Sequence, residues 1–421
     1  MSLQTSSIHR IQTAAPSDHS PFPPHLPYLF SPVIATQKSM SSEFPLFRLP
    51  LIVLNHGLKL MTPFEIISLS LCSKRCKTVC QSLRNQLKCK EKAVKFQLKF
   101  SKKREIQLEF NYYLNTLWIL SIFQISGKDE IGLSRNDLFV TNWIPTEDDT
   151  PQEQIRENNS MVNQYLKVYI SNDCDIFVLR KYIDHLAYIF NITLTDLELH
   201  FQDFTRDENE KIIDSYCGNR RDTNCVKSLK LIGESENTPE DDEVLYHILN
   251  RQEAECQLTL AIKPTSKFHF YGDLLRYSIN QLIVRNSDWL TCGELECCKS
   301  FSVWMFNSKI NEFNIEFMIK RWYSGWTPKW TLAMIEHIFI NIDDCIIRIR
   351  EGISAGLIAI RSEETIEEPD GLSHRIKYSI RRGNGTIGEF LVENNKYLYI
   401  KARGNTDISL STFISMTKEM M

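Results

Sequence analysis

Between residues 44 and 86 apolar side chains recur at helical spacing. Leu54, Leu58 and Met61 fall on one helical face, and Ile66 and Leu69 fall on another beyond Thr62-Pro63-Phe64-Glu65. Thr62 is suited to cap a helix that starts at Pro63, with Glu65 closing a capping box. Ser73 can cap a third helix running through Cys76, Val79 and Leu83. Three helices in about forty residues bury little on their own account. The pattern therefore predicts an apolar surplus that a second polypeptide must cover.

Further on, the period drops to two. Val94, Phe96, Leu98 and Phe100 alternate with polar residues, and Ile106, Leu108 and Phe110 resume the alternation after Lys102-Lys103-Arg104, which predicts a hairpin. Residues 114–124 and 136–142 read as further strands before an acidic loop from Glu147 to Glu157. Tyr165 to Tyr169 reads as a strand, and Ile176 to Phe190 as a helix with Val178, Tyr182, Leu186 and Ile189 on one side. Short strands then recur at Leu197–Phe201, Leu229–Leu231, Leu258–Ile262, Leu282–Val284, Phe301–Met305 and Ile338–Ile340. Helix-capable segments such as Asp241 to Glu255 and Asn311 to Tyr323 lie between them. The spacing is too uneven for a regular repeat and predicts a leucine-rich-repeat-like βα arc with a largely parallel sheet. Near the end, Ile376, Tyr378 and Ile380 alternate before the turn at Asn384-Gly385, and Phe390, Val392, Tyr397 and Tyr399 complete a predicted meander.

The fold class that follows is α+β. A three-helix module at 44–88 precedes a β-rich connecting region at 89–160, and an α/β domain fills 161–403 with flanking strands and a meander. Residues 1–43 carry six prolines (16, 21, 23, 24, 27 and 32) and read as a disordered extension, and 404–421 reads as a tail.

Composition narrows the function classes. A net charge of −3 over 421 residues gives no general attraction to nucleic acid or membrane. The basic run from Lys88 to Arg104 is diluted by Glu91 and reads as a solvated strand face. No apolar stretch approaches the roughly 20 residues of a membrane-spanning helix. Twelve cysteines without a secretory signal read as reduced thiols, which places the chain in the cytoplasm or nucleus. Their spacing suits packing better than zinc ligation, so no metal is expected.

The residues also carry a resemblance. Leu49-Pro50-x-x-Val53-Leu54-x-x-x-Leu58-x-x-Met61-Thr62-Pro63-x-Glu65-Ile66-Ile67-x-Leu69-Ser70-x-x-Ser73-Lys74-Arg75 resembles an F-box without a gap. It departs at Gly57, where a branched aliphatic is usual, and at Cys76, where Trp is common. Ser287-Asp288-Trp289-Leu290-Thr291, Lys299-Ser300-Phe301, Asn307, Phe317, Lys320-Arg321-Trp322 and Trp330 resemble the type-2 F-box-associated domain of the nematode F-box family. Thr331 to Ile340 lacks the family's leucine-led strand opening.

The resemblance implies a substrate-recognition subunit of a Skp–cullin–F-box ubiquitin ligase. Leu46, Leu49, Pro50, Val53, Leu54, Leu58, Met61, Pro63, Ile66 and Leu69 would dock on a Skp-type adaptor and through it a cullin. The α/β domain would bind an unknown protein substrate. Such a subunit is not an enzyme and needs no cofactor, nucleic acid or membrane.

Catalytic motifs do not compete with this reading. Gly383-Asn384-Gly385-Thr386-Ile387-Gly388 matches G-x-G-x-x-G, but a strand rather than a helix follows, so a turn is expected. One alternative is an F-box protein acting outside a ligase. Another is an enzyme assembled from distant residues, which a deep polar pocket lined by Cys or His within 160–340 would favour.

Overall fold

A turn at residues 101–103 folds Arg104–Phe110 (β2) antiparallel onto Ala93–Phe100 (β1), the hairpin that the alternation predicts. The computed structural model describes residues 49–83, 93–110, 116–124, 140–141, 153–156, 159–170, 176–222, 225–271, 274–336, 341–352, 358–368, 371–402 and 408–418. The extension read at 1–43 and the site residue Leu46 lie outside them. Leu51 onward forms one compact unit, and of the preceding unit, Met1–Pro50, only Leu49 and Pro50 are described.

Three short helices open the compact unit: Leu51–Lys59 (α1), Pro63–Cys72 (α2) and Lys74–Leu83 (α3). Thr62 caps α2 as its sequence predicts. The Thr62 N–H donates to Glu65 Oε2 at 2.7 Å, and the Glu65 N–H donates to Thr62 Oγ1 at 3.3 Å. Thr205, Thr238 and Thr291 form the same box at the starts of Arg206–Tyr216 (α5), Pro239–Arg251 (α6) and Cys292–Cys297 (α7). The long helix expected at Ile176–Phe190 (α4) has those limits.

The chain is mixed α/β, built on one sheet of 16 strands among the described residues. Its centre is parallel: Asp196–His200 (β7), Ser228–Ile232 (β8), Gln257–Ala261 (β9), Ile279–Val284 (β10), Ser300–Met305 (β11) and Leu332–Glu336 (β12). Glu312–Tyr323 (α8) and Ile342–Gly352 (α9) continue the βα alternation. On the other side of β7 the sheet extends through β1, β2, Thr116–Gln124 (β3) and Asn159–Ile170 (β6). Two short strands, Val140–Thr141 (β4) and Glu153–Arg156 (β5), pair with β6. Beyond β12 the meander Ile358–Glu368 (β13), Gly371–Arg381 (β14), Ile387–Glu393 (β15) and Tyr397–Lys401 (β16) runs outward, with β16 antiparallel to β12.

Several expectations need correction. The last parallel strand is Leu332–Glu336, opened by a leucine after all, while 338–340 lies outside the described residues. Glu153–Arg156, read as acidic loop, is a strand, because its backbone pairs with β6 whatever its charge. The tail holds a helix, Leu410–Lys418 (α10), with Phe413 and Ile414 buried. Helices α5 and α7 were hidden by polar or small residues on their outer faces.

Register explains how the layers form. Leu197, Leu229, Leu258, Leu282, Val303 and Ala333 lie side by side and face the helices across one continuous core. The next residues along form a row on the opposite face: Lys99, Glu198, Lys230 and Thr259, then Ile283, Trp304, Met334 and Tyr399. The row turns from polar to apolar at β10. There a second core of Ile283, Trp304, Met334, Tyr399 and Leu391 receives Leu410, Phe413 and Ile414 of α10. Among the described residues, no helix is long and apolar enough to cross a membrane.

Candidate functional site

The apolar positions of α1 divide between two faces. Leu54 and Leu58, one turn apart, are buried, and Met61 beyond them packs on the main core. Ile52, Val53 and Leu60 are 82%, 50% and 75% exposed. Gly57 lies between Val53 and Leu60 on this outer side, and a Cβ built on it would meet nothing within 4 Å. The result is three exposed apolar side chains beside the exposed His56 and Lys59, with a bare backbone patch at Gly57. In the preceding unit, Leu49 and Pro50 are exposed.

Helix α2 faces the other way. Pro63, Phe64, Ile66 and Ile67 are buried, and Phe64 meets the edge of Trp118 on β3 at 4.8 Å between ring centres. Leu69, half-buried, packs on the same core. The Ser70 hydroxyl donates to the Ile67 carbonyl at 2.6 Å, leaving its oxygen 2.9 Å from His185 Nε2 on α4 to accept the ring N–H. Burial and the nearby Lys77 ammonium push the His185 imidazole down to about 4. Tyr188 on α4 donates to Gln81 of α3 and carries the Lys77 ammonium 4.6 Å above its ring.

The expected site thus separates. Leu54, Leu58, Pro63 and Ile66 are enclosed by their own chain and hold the helices in place, so the apolar surplus is smaller than the pattern predicts. Val53 is available at the surface, Met61 and Leu69 are only half-buried, and Ile52 and Leu60 join Val53. The exposure of Ile52 and Leu60 was not foreseen, because periodicity finds an apolar stripe without telling which side is covered.

A second candidate surface is the polar sheet face over β1, β7, β8 and β9. A cavity of about 180 Å³ lies there, lined by Lys95, Gln97, Asp196, Glu198, Lys230 and Gln257 among others. Glu198 is its buried centre, reached by Lys99 at 3.2 Å, Lys230 at 2.9 Å and His200 at 3.2 Å. Burial opposes its ionisation, but the His200 and Lys230 hydrogen bonds and the lysine charges outweigh that and hold the carboxyl well below the usual range. The signal was present in the strands themselves. Asp-Leu-Glu-Leu-His and Ser-Leu-Lys-Leu-Ile alternate, whereas parallel strands covered on both faces read as continuous apolar runs.

Other chemistry is sparse among the described residues. His200, Asp203 and Glu234 bring three ligand atoms within 4.8 Å of one another, yet the His200 ring already bridges Glu234 at 3.2 Å and Glu198 at 3.2 Å. Burial pushes the Cys80, Cys217 and Cys292 thiols up to about 12, which suits packing and not nucleophilic work. A cavity of about 300 Å³ between α9 and the meander is lined by Glu312, Asn341, Asp343, Tyr378 and Asn395 among others, with neither Cys nor His among its described lining residues.

The Gly383–Gly388 segment is the turn between β14 and β15, as its sequence predicts. Gly385 has φ +85°, and a Cβ on Gly388 would come within 2.8 Å of the Trp322 ring. The Arg382 guanidinium lies 3.9 Å from the same ring, so Gly385 serves the turn and Gly388 serves packing.

No protein-family model matches this chain, and no curated protein matches it.

Proposed function

We propose that this chain is the substrate-recognition subunit of a Skp–cullin–F-box ubiquitin ligase. In this reading α1–α3 are the F-box and the βα arc with its meander is a leucine-rich-repeat-like F-box-associated domain. The observation that carries the reading is the exposure of Ile52 and Val53 on α1 and of Leu60 just after it, while Leu54 and Leu58 on the opposite side are already packed. Exposed apolar contact surface of this kind marks a protein interface. The adaptor covers these exposed side chains and approaches closely at Gly57. Leu54, Leu58, Pro63 and Ile66 act from beneath by fixing the orientation of α1.

The polar face over β1, β7, β8 and β9 presents Lys95, Lys99, Lys230 and Gln257 to a target protein. The subunit itself performs no chemistry. Holding adaptor and target on one chain raises the local concentration of target beside the conjugating machinery.

Co-purification of the full chain with a Skp-type adaptor and a cullin tests the reading. An Ile52→Asp, Val53→Asp double variant should lose adaptor binding by about a hundredfold, since aspartates buried in an apolar contact stay unpaired. Its melting temperature should be unchanged, because both residues are exposed. Adaptor binding by this variant at the parent level would overturn the proposal. Recovery of the adaptor without a cullin would point to an interaction protein outside a ligase.

A further inference from the structure

Among the described residues β13 is the terminal strand of the sheet, and its strand partner is β14. At eleven residues it is about twice the usual strand length. Its register runs unshifted from Ile358 opposite Arg381 to Glu368 opposite Gly371, so no bulge turns the edge aside. Residues 360–365 and 367 are exposed, which leaves both strand faces open there, and along this stretch no further strand pairs with the outer edge among the described residues. A long, regular, exposed edge is a ready template for another strand.

Charge decides which strand can use it. Glu363, Glu364 and Glu367 line this stretch. Glu363 is engaged by Arg361 at 2.8 Å and His374 at 2.7 Å, while Glu364 and Glu367 hold no ion pair among the described residues. The pleat sets Glu363 and Glu367 on one face, about 13 Å apart, and Glu364 on the other. A second copy of this chain paired antiparallel along β13 would oppose carboxylate to carboxylate, which is destabilising.

We infer that the outer edge of β13 over residues 360–367 binds an extended basic segment of another protein as an added antiparallel strand. The three carboxylates fix the pattern of that segment. Read antiparallel, cations opposite Glu367, Glu364 and Glu363 fall at Lys-x-x-Lys-Lys, with Arg equivalent to Lys. Main-chain hydrogen bonds to the edge supply affinity, and the cross-strand charge pairs supply register. This inference does not depend on what α1–α3 bind.

The test is fluorescence anisotropy of a labelled peptide about as long as β13 carrying Lys-x-x-Lys-Lys, titrated with the full chain. Binding should weaken about tenfold in the Glu364→Gln, Glu367→Gln variant, whose exposed, near-isosteric substitutions leave the melting temperature unchanged. It should disappear when alternate peptide nitrogens are methylated on the edge that pairs, since methylation blocks the ladder and leaves the charge. Absence of binding by the parent peptide would overturn the inference. So would equal binding by the methylated peptide, which would reduce the contact to charge attraction. A dimer formed through β13 that the peptide does not displace would assign the edge to a second copy and equally overturn it.

Discussion

Two glycines test the packing from opposite directions. Gly57 sits in an exposed helix with free space where a side chain would go, so Gly57→Ala should raise stability by about 0.5–1 kcal/mol in denaturant titration. Gly388 lies under the Trp322 ring, whose Nε1 donates to the Ala402 carbonyl at 2.9 Å and whose face carries Arg382. The ring cannot retreat without breaking those contacts, so Gly388→Ala should cost about 1–3 kcal/mol by the same measurement. Both positions are plain in the sequence, one as a departure inside the F-box pattern and the other as the last glycine of G-x-G-x-x-G. Their opposite signs are not, because each depends on what lies next to a missing Cβ.

At the scale of elements, the seam between α2 and α4 carries a titrating group. His185 is neutral in the folded chain, with its pKa lowered from 6.5 to about 4 by burial and Lys77. A depressed folded pKa gives stability that is complete above about pH 6.5 and is lost as pH falls toward 4. Discounted for its partial exposure, the loss between pH 7 and pH 5 should be about 1 kcal/mol. His185→Gln keeps a donor for Ser70 and should flatten that stretch of the stability–pH curve. A separate window opens below the ordinary carboxylate range. There Glu198 and Glu393, both held low against burial by their cationic partners, take up protons and lose their ion pairs. Helix and strand limits near this seam were legible, since caps such as Thr62 and runs such as Leu197-x-Leu199 act over a few residues. The meeting of Ser70 with His185, 115 positions apart, leaves no local signature.

For the whole molecule, the main finding is that α2 and α3 share their core with the sheet. Phe64, Ile67 and Cys80 belong to the same buried cluster as Trp118, Leu186 and Leu197. Phe64→Ala should therefore cost about 3–5 kcal/mol and lower the melting temperature of the entire compact unit. The transitions followed by far-UV circular dichroism and by tryptophan fluorescence should coincide. Two separated transitions would show instead that the helices unfold on their own. The C-terminal helix belongs to this unit as well, because Lys418 reaches the buried Glu393 at 3.1 Å while Phe413 packs on Trp304 and Tyr399. By itself the sequence determined the cap of α2, the limits of α4, the hairpin, five of the six short strands it named and the closing meander, because periodicity, caps and turns act between near neighbours. Only the tertiary structure decided that Leu54 and Leu58 face inward while Ile52 and Leu60 face out, that one sheet face stays polar until α10 covers it, and that β13 is left as an edge. Those outcomes depend on which distant segments take up the space around each side chain, and that is settled when the whole core assembles.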